Sequence, residues 1–558
     1  MAALPPPTSK TTTSATSHPA VKRARVVSPS SSLSTPPAAV AVVAPWRNNL
    51  SIEATAATAA LRVAYEAALP FKHTRLHDIF PVELTRAARA EILTEGTVKW
   101  THRRNDLYTF AQSQSLSSEA GAVRSGTALA ALRDEIYSPA FRAWVSAITG
   151  IHSLAETVDA SIACYRKGDH LLCHDDDLAG RAIAYIVYLT PDSWTPAHGG
   201  ALALYDCDEA NAPTRVTASL GAHFNSVSLF AVTARSFHAV QEVFSADARI
   251  SISGWFHAAN VPPRAPTPRA QPRVFTKVTP PRPLLLGDGV DLEPVSLPAW
   301  LHPRYCNSKA RTAAARAFVN GGGSLQLGGF LSQEALHKLM KDLVVRAWRH
   351  SGPPSERSYR VTALTTNVPS SLPSSGACPD TVDAAFAFFS STDFFTFFEI
   401  FTNEIGAKLS GDVSVSIVAF ASGDYSLITD ETYKRAAREA KVVRALGGGG
   451  AGKGEKKVVA HEDVEDDKAA AYLELSLCIM SGTEAWPDDA GGAITYLTAD
   501  EEVACFVPKG NTLSIAFRPA GVYSFTKCVS AAAPETLFRI DIAAKIEEET
   551  TREGGESE

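Results

Sequence analysis

The sequence predicts an α+β, mainly β chain with flanking helices, in which one fold occurs twice in tandem. Residues 165–176 recur as residues 420–431, with the same spacing of aromatic, glycine, aspartate and leucine positions. Further along each copy a tryptophan precedes a Gly-Gly-Ala run at the same distance: Trp194 before 199–201, and Trp486 before 491–493. The chain has 558 residues, more than one hydrophobic core usually holds. Because the repeated features keep their order, we expect two copies of one fold.

The boundaries of the regions follow from shifts in composition. In chain order we expect a disordered segment at 1–47, the first copy at 48–260, a Pro-rich linker at 261–297, the second copy at 298–546 and an acidic tail at 547–558. The first segment is rich in Pro, Ser, Thr and Ala, so it cannot bury enough apolar surface to offset the entropy of ordering. The linker should run extended, and the tail should be a solvated, frayed end.

Three stretches of unusual composition have simple interpretations. A Gly-rich insertion near 432–469 separates two strands of the second copy, and a loop of this length is expected to be flexible. The Phe-rich run at 386–401 is interpreted as core rather than an aromatic binding stripe, because the helix-face spacing of the first copy recurs there: Phe141, Trp144 and Ile148 match Phe398, Phe401 and Ile405. The basic cluster from Lys22 to Arg25 is similar to a short nuclear-import signal, and a solvated patch is the alternative.

Composition and charge narrow the class of protein. A hydrophobic content of 45% suits globular domains, and a net charge of −6 argues against a general nucleic-acid binder. The eight cysteines form no Cys-x-x-Cys pair, which favours free thiols in a reducing compartment. No apolar run approaches the roughly 20 residues of a membrane helix, and the N-terminus lacks an apolar signal core. We expect an intracellular protein without a membrane partner and without direct nucleic-acid binding.

Two histidines and a carboxylate carry the chemistry. His174 and Asp176 are two residues apart, and side chains at this spacing lie on the same face of a strand. Together with the distant His238 they make a two-histidine, one-carboxylate triad, which holds Fe(II) and leaves open positions for other ligands. A lone His-x-Asp is a common surface or turn feature, so the prediction rests on the combination. Parity selects Asp176, because Asp175 and Asp177 should face away from His174.

The spacing of an arginine from the second histidine supports the prediction of a metal site. Arg249 lies eleven residues beyond His238, at the start of an alternating polar and apolar run at 249–255 that suits a half-buried strand. If His238 and Arg249 lie on adjacent strands of a hairpin, the guanidinium comes close to the metal. Its planar fork of donors binds a carboxylate bidentately. Arg249 therefore suits the distal carboxylate of a keto acid that chelates the metal at its other end.

At this point the chain resembles a known family, the eukaryotic prolyl 3,4-dihydroxylases. The motifs that carry the resemblance occupy 105–110, 171–176, 199–205, 236–238 and 249–257. The resemblance implies two tandem double-stranded β-helix (jelly-roll, cupin-like) domains, of which the second is degenerate. It also implies a catalytic domain at 48–260 that uses Fe(II), 2-oxoglutarate and dioxygen, with ascorbate as reductant. The implied reaction is prolyl 3-hydroxylation or 3,4-dihydroxylation of a small-subunit ribosomal protein, which affects translation accuracy or termination.

The resemblance assigns roles to particular residues. His174, Asp176 and His238 become the iron ligands, and Arg249 and Tyr188 bind 2-oxoglutarate. Further contacts to the same carboxylate come from Tyr165 and Ser251, and the segment 105–110 is a candidate for ordering the peptide. The family's setting implies a nuclear and cytoplasmic protein, with translation-termination or regulatory partners bound through the second domain.

The second copy differs from the first where the chemistry lies. Thr429 stands where the first copy has His174, and the segment matched to the distal histidine is 525–529, with Thr526 and Lys527. A lysine ammonium repels a cation and a neutral threonine hydroxyl is a poor ligand, so we expect a metal-free second domain. The second copy retains an arginine, Arg539, but it follows Phe525 by two residues more than Arg249 follows Phe237. It is either an old anion site or a structural ion pair.

Two other functions compete with the hydroxylase hypothesis. The first is an oxygen-sensitive regulatory adaptor that controls translation or transcription-factor turnover through the second domain. An adaptor has no need of an intact triad together with Arg249. The second is a cupin-like metal isomerase or dioxygenase without 2-oxoglutarate, which has no need of an Arg-x-Ser strand after the last histidine. The sequence therefore favours the hydroxylase.

Overall fold

The computed structural model describes residues 52–117, 125–178, 180–258, 276–277, 297–362, 381–428, 471–480, 485–498 and 501–547. Several expectations concern residues outside these ranges: the disorder at 1–47 with its Lys22 to Arg25 cluster, nearly all of the linker, Thr429, the insertion near 432–469 and the tail beyond 547. The predicted domain boundaries stay predictions.

The first half of the described chain, residues 52–258, has four α-helices and twelve strands. The helices are α1 Ile52–Ala67, α2 Val82–Leu93, α3 Ala128–Tyr137 and α4 Pro139–Thr149. The strands are β1 His73–His77, β2 Trp100–Arg104, β3 Tyr108–Ser113, β4 Leu154–Val158, β5 Ser161–Tyr165, β6 His170–His174, β7 Arg181–Tyr188, β8 Leu202–Cys207, β9 Pro213–Leu220, β10 Ser226–Ala231, β11 His238–Val240 and β12 Arg249–Ala258.

The described residues of the second half, within 276–547, repeat this composition. The helices are α5 Leu297–Trp300, α6 Ser308–Asn320, α7 Gln333–Val345, α8 Thr381–Phe389 and α9 Thr392–Glu404. The strands are β13 Thr276–Lys277, β14 Ser324–Gly328, β15 Trp348–Ser351, β16 Arg357–Thr362, β17 Leu409–Phe420, β18 Tyr425–Ser426, β19 Tyr472–Ile479, β20 Ile494–Leu497, β21 Glu502–Phe506, β22 Thr512–Arg518, β23 Tyr523–Thr526 and β24 Leu537–Ile546.

The two halves have the same sheet topology. The strand order of the first sheet is β1-β10-β7-β12-β5-β3-β6-β11-β8-β9, and that of the second is β14-β22-β19-β24-β17-β16-β18-β23-β20-β21. The orders correspond strand by strand. Each sheet forms a nearly closed barrel. Both halves belong to one compact unit. The predicted fold class, mainly β with one fold occurring twice, is confirmed.

Helix α4 shows how the flanking helices form and pack. The Ser138 hydroxyl accepts a hydrogen bond from the Phe141 N–H at 3.1 Å and so caps the N-terminus, and Gly150, at φ 75°, ends the helix. Phe141, Trp144 and Ile148, at helical spacing, are all buried in the core of the first half. The helix thereby covers the outside of the first sheet.

The Phe-rich run forms the equivalent core in the second half. Ser391 caps the N-terminus of helix α9, since its hydroxyl accepts from the Phe394 N–H at 3.3 Å. Phe398 and Phe401 are buried, and Ile405 packs against the same core from just beyond the helix. The interpretation of this run as core is confirmed. Among the helices that the structure describes, no single one has the length and apolar character of a membrane span, although α8 and α9, bent by 52°, meet that test as a pair.

Candidate metal and co-substrate site

The predicted metal ligands converge at one place in the first half. Strands β6 and β11 are antiparallel neighbours, and their register puts His238 directly opposite His174. The imidazole centroids are 4.2 Å apart. Asp176 Oδ1 lies 3.5 Å from His174 Nε2, and Asp176 Oδ2 lies 3.4 Å from His238 Nε2. One ligand atom from each residue thus lies within 4.8 Å of the others, close enough for a single ion.

Both histidines present the same ring nitrogen to this cluster. His174 Nδ1 is 2.8 Å from the carbonyl oxygen of Leu172, and His238 Nδ1 is 2.8 Å from that of Ser236. A carbonyl oxygen only accepts, so each Nδ1 carries a proton, and in the neutral form of each ring the lone pair is on Nε2. Two imidazole nitrogens and one carboxylate are a donor set that fits Fe(II).

Asp176 reaches the cluster for a different reason from the one that the sequence suggests. Strand β6 ends at His174, and Asp176 adopts a left-handed backbone with φ 58°. An aspartate tolerates this conformation better than most residues. The Asp175 carboxylate meanwhile accepts from the Asp177 N–H at 3.1 Å, closing a tight turn. The selection of Asp176 agrees with the geometry, but the argument from strand parity is wrong.

The cluster favours an ionised carboxylate. Burial tends to raise the pKa of Asp176, but the neighbouring His174 and His238 outweigh burial and hold that pKa well below its usual range. Burial tends to lower the pKa of His174, and the Asp176 carboxylate outweighs this as well, so the pKa of His174 is raised. A buried carboxylate that faces two ring nitrogens is an environment prepared for a cation.

Two residues that the sequence analysis did not predict contact the Asp176 carboxylate without belonging to the metal cluster. The Trp255 Nε1–H donates to Asp176 Oδ2 at 3.1 Å. The Arg181 guanidinium lies 3.4 Å from the centroid of the Trp255 ring, and its Nη1 is 3.7 Å from Asp176 Oδ1. Trp255 lies six residues after Arg249 on β12, an even spacing that puts both on one face of the strand. Parity along this strand was therefore a signal for Trp255.

We predict that Trp255→Phe weakens metal binding, because it removes the hydrogen bond that fixes the carboxylate of Asp176. Loss of such a supporting contact typically costs about 10–100-fold in metal affinity. Titration of the full chain with Mn²⁺ measures the effect, and Trp300→Phe, in the second half, is the matched control. Equal affinity of Trp255→Phe and the unaltered chain would exclude this role for Trp255.

The structure places Arg249 beside the site by a different route from the predicted hairpin. Strand β11 pairs with β6 and β8, whereas β12 pairs with β4, β5 and β7, so the strands of His238 and Arg249 are not neighbours. The hairpin prediction is wrong, because the sheet order is not sequential. Arg249 instead lies opposite Tyr165 on β5, and Ser251 lies opposite Tyr188 on β7.

The Arg249 side chain is buried with one nitrogen left over. Nε donates to the carbonyl of Gly200 at 2.7 Å, and Nη1 donates to the hydroxyl of Ser251 at 3.4 Å. The guanidinium carbon lies 5.0 Å from the ring centroid of Tyr165 and 5.1 Å from that of Tyr188. Nη2 is buried and has no hydrogen-bond partner among the described residues. An orphaned donor on a buried cation fits an anionic ligand such as a carboxylate.

Tyr165 links the two parts of the site. It interacts electrostatically with both Arg249 and Asp176, and burial raises its pKa, so its hydroxyl stays protonated and able to donate. Phe110 stacks on the Tyr165 ring at 4.8 Å and 13°. Of the segment proposed to order a peptide, Asn105 instead builds a turn, since its Oδ1 accepts from the N–H groups of Leu107 and Tyr108.

Gly200 is a functional position whose reason was not visible in the sequence. Its φ is +68°, and a Cβ there would lie 2.6 Å from Arg249 Cδ. A side chain would therefore push Arg249 away from the carbonyl that orients it. The Gly-Gly-Ala run was noted as a motif, but only the fold shows that it packs against the arginine.

In the second half, hydrogen bonds correct the sequence match to the distal histidine. Val529 exchanges backbone hydrogen bonds with the turn at Gly423 and Asp424, as Val243 does with Gly168 and Asp169. Val529 therefore corresponds to Val243, and counting back five residues puts Ser524 in the place of His238. The predicted match of 525–529 to the histidine segment is wrong by two residues. The cause is a longer connection before β24, which sequence spacing alone did not locate.

The same correction applies to the retained arginine. Leu537 lies opposite Phe420 as Arg249 lies opposite Tyr165, so Arg539 occupies the place of Ser251. Arg539 Nε and Nη2 donate to Asp541 Oδ2 at 2.9 and 2.8 Å, and its Nη1 donates to the Thr526 hydroxyl at 3.0 Å. Of the two interpretations of Arg539, the structural ion pair is the one that these contacts support. Thr429 lies outside the described residues, and the metal-free second domain stays a prediction.

We predict that Asp541→Ala destabilises the second half, because it leaves the buried Arg539 guanidinium without its carboxylate. Breaking one partner of a buried pair costs about 3–5 kcal/mol. The double variant Arg539→Met with Asp541→Ala should recover part of this loss. Denaturant unfolding of the full chain measures it, with Asp192→Ala as control, since the Arg86–Asp192 pair is half exposed and such pairs contribute about 0–1 kcal/mol. Equal effects of the two single variants would contradict the assignment.

Comparison with known proteins agrees with this geometry. Residues 160–257 match the family model described as the 2OG-Fe(II) oxygenase superfamily, a span that includes all three candidate ligands and Arg249. Residues 293–552 match a second model, described as the oxoglutarate and iron-dependent oxygenase degradation C-terminal domain. The two matched spans correspond to the two halves of the structure.

The chain is also similar to individual proteins. Prolyl 3-hydroxylase OGFOD1 of Xenopus laevis is 28% identical over 480 residues, which cover 83% of this chain and 84% of the relative. Prolyl 3,4-dihydroxylase OGFOD1 of Ostreococcus tauri is 33% identical over 289 residues, 47% of this chain and 54% of the relative. Among solved structures, a prolyl-4-hydroxylase of Pseudomonas putida has 20% identity and a TM-score of 0.29, and the match covers 36% of this chain and 100% of that one.

Proposed function

Since the chain belongs to the family of Fe(II)- and 2-oxoglutarate-dependent prolyl hydroxylases, we propose that it hydroxylates carbon 3 of a proline in a small-subunit ribosomal protein. A second hydroxylation at carbon 4 is the dihydroxylase form of the same proposal. The observation that carries the proposal is the convergence of His174, Asp176 and His238 beside a buried Arg249 with one open donor. A metal site and an anion site that both interact with Tyr165 match a metal-chelating keto acid.

Each residue of the site has a role in this reaction. His174 and His238 would bind the metal through Nε2, and Asp176 would bind it through its carboxylate. Arg249 would hold the far carboxylate of 2-oxoglutarate through its open Nη2, beside the Ser251 hydroxyl and the rings of Tyr165 and Tyr188. When iron and 2-oxoglutarate are bound, they would react with dioxygen to oxidise a substrate C–H to C–OH, with release of succinate and carbon dioxide.

The surroundings keep water away from this chemistry. Arg249 is 1% exposed and His238 3%, and Tyr188 is fully buried. The centroid of the Phe230 ring is 4.6 Å from that of His238, and Phe230 belongs to an apolar cluster with Tyr165, Tyr188 and Leu204. In such a dry environment, charged hydrogen bonds to the co-substrate are stronger than they are in water.

The substrate and setting extend the proposal beyond the chemistry. Relatives named prolyl 3-hydroxylases support a proline as the target, and the family resemblance supports a ribosomal protein and an effect on translation accuracy or termination. Ascorbate is the proposed reductant that keeps the iron ferrous. The proposed locations are nucleus and cytoplasm, with termination or regulatory proteins as partners of the second half.

Mass spectrometry of a small-subunit ribosomal protein fraction tests the proposal. The purified chain is incubated with the fraction, Fe(II), 2-oxoglutarate and ascorbate, and His174→Ala serves as control. We expect one proline to gain the mass of one oxygen atom, with 3-hydroxyproline recovered on hydrolysis, and two oxygen atoms if dihydroxylation occurs. Modification of a residue other than proline, or an equal gain with His174→Ala, would contradict the proposal.

A further inference from the structure

The strand that carries His174, and the segment just after the strand that carries His238, contact the second half of the chain directly. We propose that the second half is a positioning element for the iron and 2-oxoglutarate site, acting through what we call the inter-half contact. It is formed by Asp106, Leu107, Leu172 and Glu242 on one side, and by Tyr425, Leu427, Ile428, Cys528 and Ala531 on the other. This inference rests on the metal and co-substrate roles proposed above.

The apolar part of the contact leads to His174. Leu172, on β6, is 7% exposed and packs with Tyr425 and Cys528 of the second half. The carbonyl of the same Leu172 is the group that receives the His174 Nδ1–H at 2.8 Å. The residue that orients the imidazole is thus itself held in place by the second half. Tyr425 is fixed in turn, because its hydroxyl donates to the carbonyl of Pro354 at 2.7 Å.

The polar part of the contact leads to Arg249. Both carboxylate oxygens of Glu242 accept from the Ala531 N–H of the second half, at 3.2 and 2.9 Å. The carbonyl of Glu242 accepts from the Gly200 N–H at 3.0 Å, and the Gly200 carbonyl accepts from Arg249 Nε at 2.7 Å. One chain of hydrogen bonds therefore runs from the second half to the guanidinium proposed to bind 2-oxoglutarate.

A third contact anchors β3, the neighbour of β6 on the side away from β11. Asp106, in the turn before β3, accepts from the Ile428 N–H at 2.8 Å, and the neighbouring Leu107 carbonyl accepts from the Leu172 N–H at 2.9 Å. The second half thus fixes β6 in two ways, directly through the Leu172 side chain and indirectly through the neighbouring strand β3. Small displacements of a preorganised site are costly, since a shift of about 1 Å can cost about 100-fold in rate.

Two pairs of variants in the full chain test the inference. Tyr425→Ala removes the packing against Leu172, whereas Tyr425→Phe keeps the ring. Glu242→Ala removes the acceptor for Ala531, whereas Glu242→Gln keeps an oxygen there. The readouts are the dissociation constant of Mn²⁺ and, in the presence of Mn²⁺, that of 2-oxoglutarate, neither of which requires turnover.

We expect Tyr425→Ala to weaken Mn²⁺ binding by about tenfold, as the loss of an outer support does. We expect Glu242→Ala to weaken 2-oxoglutarate binding more than Mn²⁺ binding. The two conservative variants should bind like the unaltered chain. Tyr496→Ala controls for general loosening of the second half, since Tyr496 is buried in a separate apolar cluster there, and it should leave Mn²⁺ binding unchanged.

Three results would overturn the inference. One is unchanged affinity for both ligands in folded Tyr425→Ala and Glu242→Ala, and another is an equal loss of Mn²⁺ affinity in Tyr496→Ala. If Tyr425→Ala does not fold, the Glu242 variants alone test the inference, because Glu242 lies at the polar edge of the contact. In that case the third contradicting result is unchanged 2-oxoglutarate binding in Glu242→Ala. Failure of the unaltered chain to bind Mn²⁺ would instead overturn the proposed function.

Discussion

We expect His174→Ala to abolish 2-oxoglutarate turnover while the chain stays folded, and we expect the same of Asp176→Ala. Each change removes one of the three proposed metal ligands, and we expect the two that remain to bind Fe(II) too weakly to keep it in place. The side chains are partly exposed rather than part of the apolar core, so their loss leaves the packing of both halves intact. Peptide-dependent succinate release by the purified, iron-loaded variants measures the effect. Substantial release would refute the ligand assignment.

Asp175→Ala is the matched control for these variants. Asp175 is adjacent to Asp176 but lies outside the metal cluster, and its carboxylate accepts from the Asp177 N–H in the turn. We expect it to keep much of the activity, with a modest loss from the weakened turn. If folded Asp175→Ala were as inactive as Asp176→Ala, the choice among the three aspartates would be wrong.

We expect Arg249→Lys to raise the concentration of 2-oxoglutarate needed for half-maximal turnover by at least about tenfold. The guanidinium donates from Nε to the Gly200 carbonyl and from Nη1 to the Ser251 hydroxyl, so Nη2 remains available to bind the co-substrate. A lysine ammonium is a point charge and cannot make all three contacts in this geometry. Truncating one partner of a buried charged pair costs about 2–5 kcal/mol, which exceeds the tenfold threshold.

Succinate release at varied 2-oxoglutarate concentrations measures this effect. Arg539→Lys is the control, because Arg539 is the buried arginine of the second half and is already paired with Asp541. It should leave the co-substrate dependence unchanged. An unchanged dependence for Arg249→Lys would remove Arg249 from the binding site.

Features that depend on the chemistry of single residues can be predicted from the sequence. The triad and Arg249 were chosen because few residue types hold Fe(II) or bind a carboxylate bidentately. Two copies of one fold were recognisable because spaced aromatic and glycine positions recur. These predictions need no knowledge of which strands are neighbours.

The errors concern long-range arrangement. The hairpin between His238 and Arg249 was inferred from closeness in sequence, but β5, β3 and β6 lie between β12 and β11 in the sheet. The place of Asp176 depends on a left-handed turn that period-two reasoning does not describe. The match of Thr526 to His238 failed because a loop-length change shifts the alignment, whereas backbone hydrogen bonds identify Ser524.

Contacts between residues far apart in the sequence could not be predicted from the sequence either. Gly200 contacts Arg249, and Leu172 contacts Tyr425, over separations of 49 and 253 residues that no local pattern specifies. Trp255 is the exception, because its even spacing from Arg249 placed it on the same face of β12. A systematic reading of that strand by parity would have predicted it.

The central claim is that the chain holds one metal site, built by His174, Asp176 and His238. Metal analysis of the full chain after loading with Fe(II) under anaerobic conditions and removal of free metal tests it most directly. We expect one iron per chain, and none in the double variant His174→Ala with Asp176→Ala. Two irons per chain, or one iron retained in the folded double variant, would contradict the claim and indicate a site in the second half.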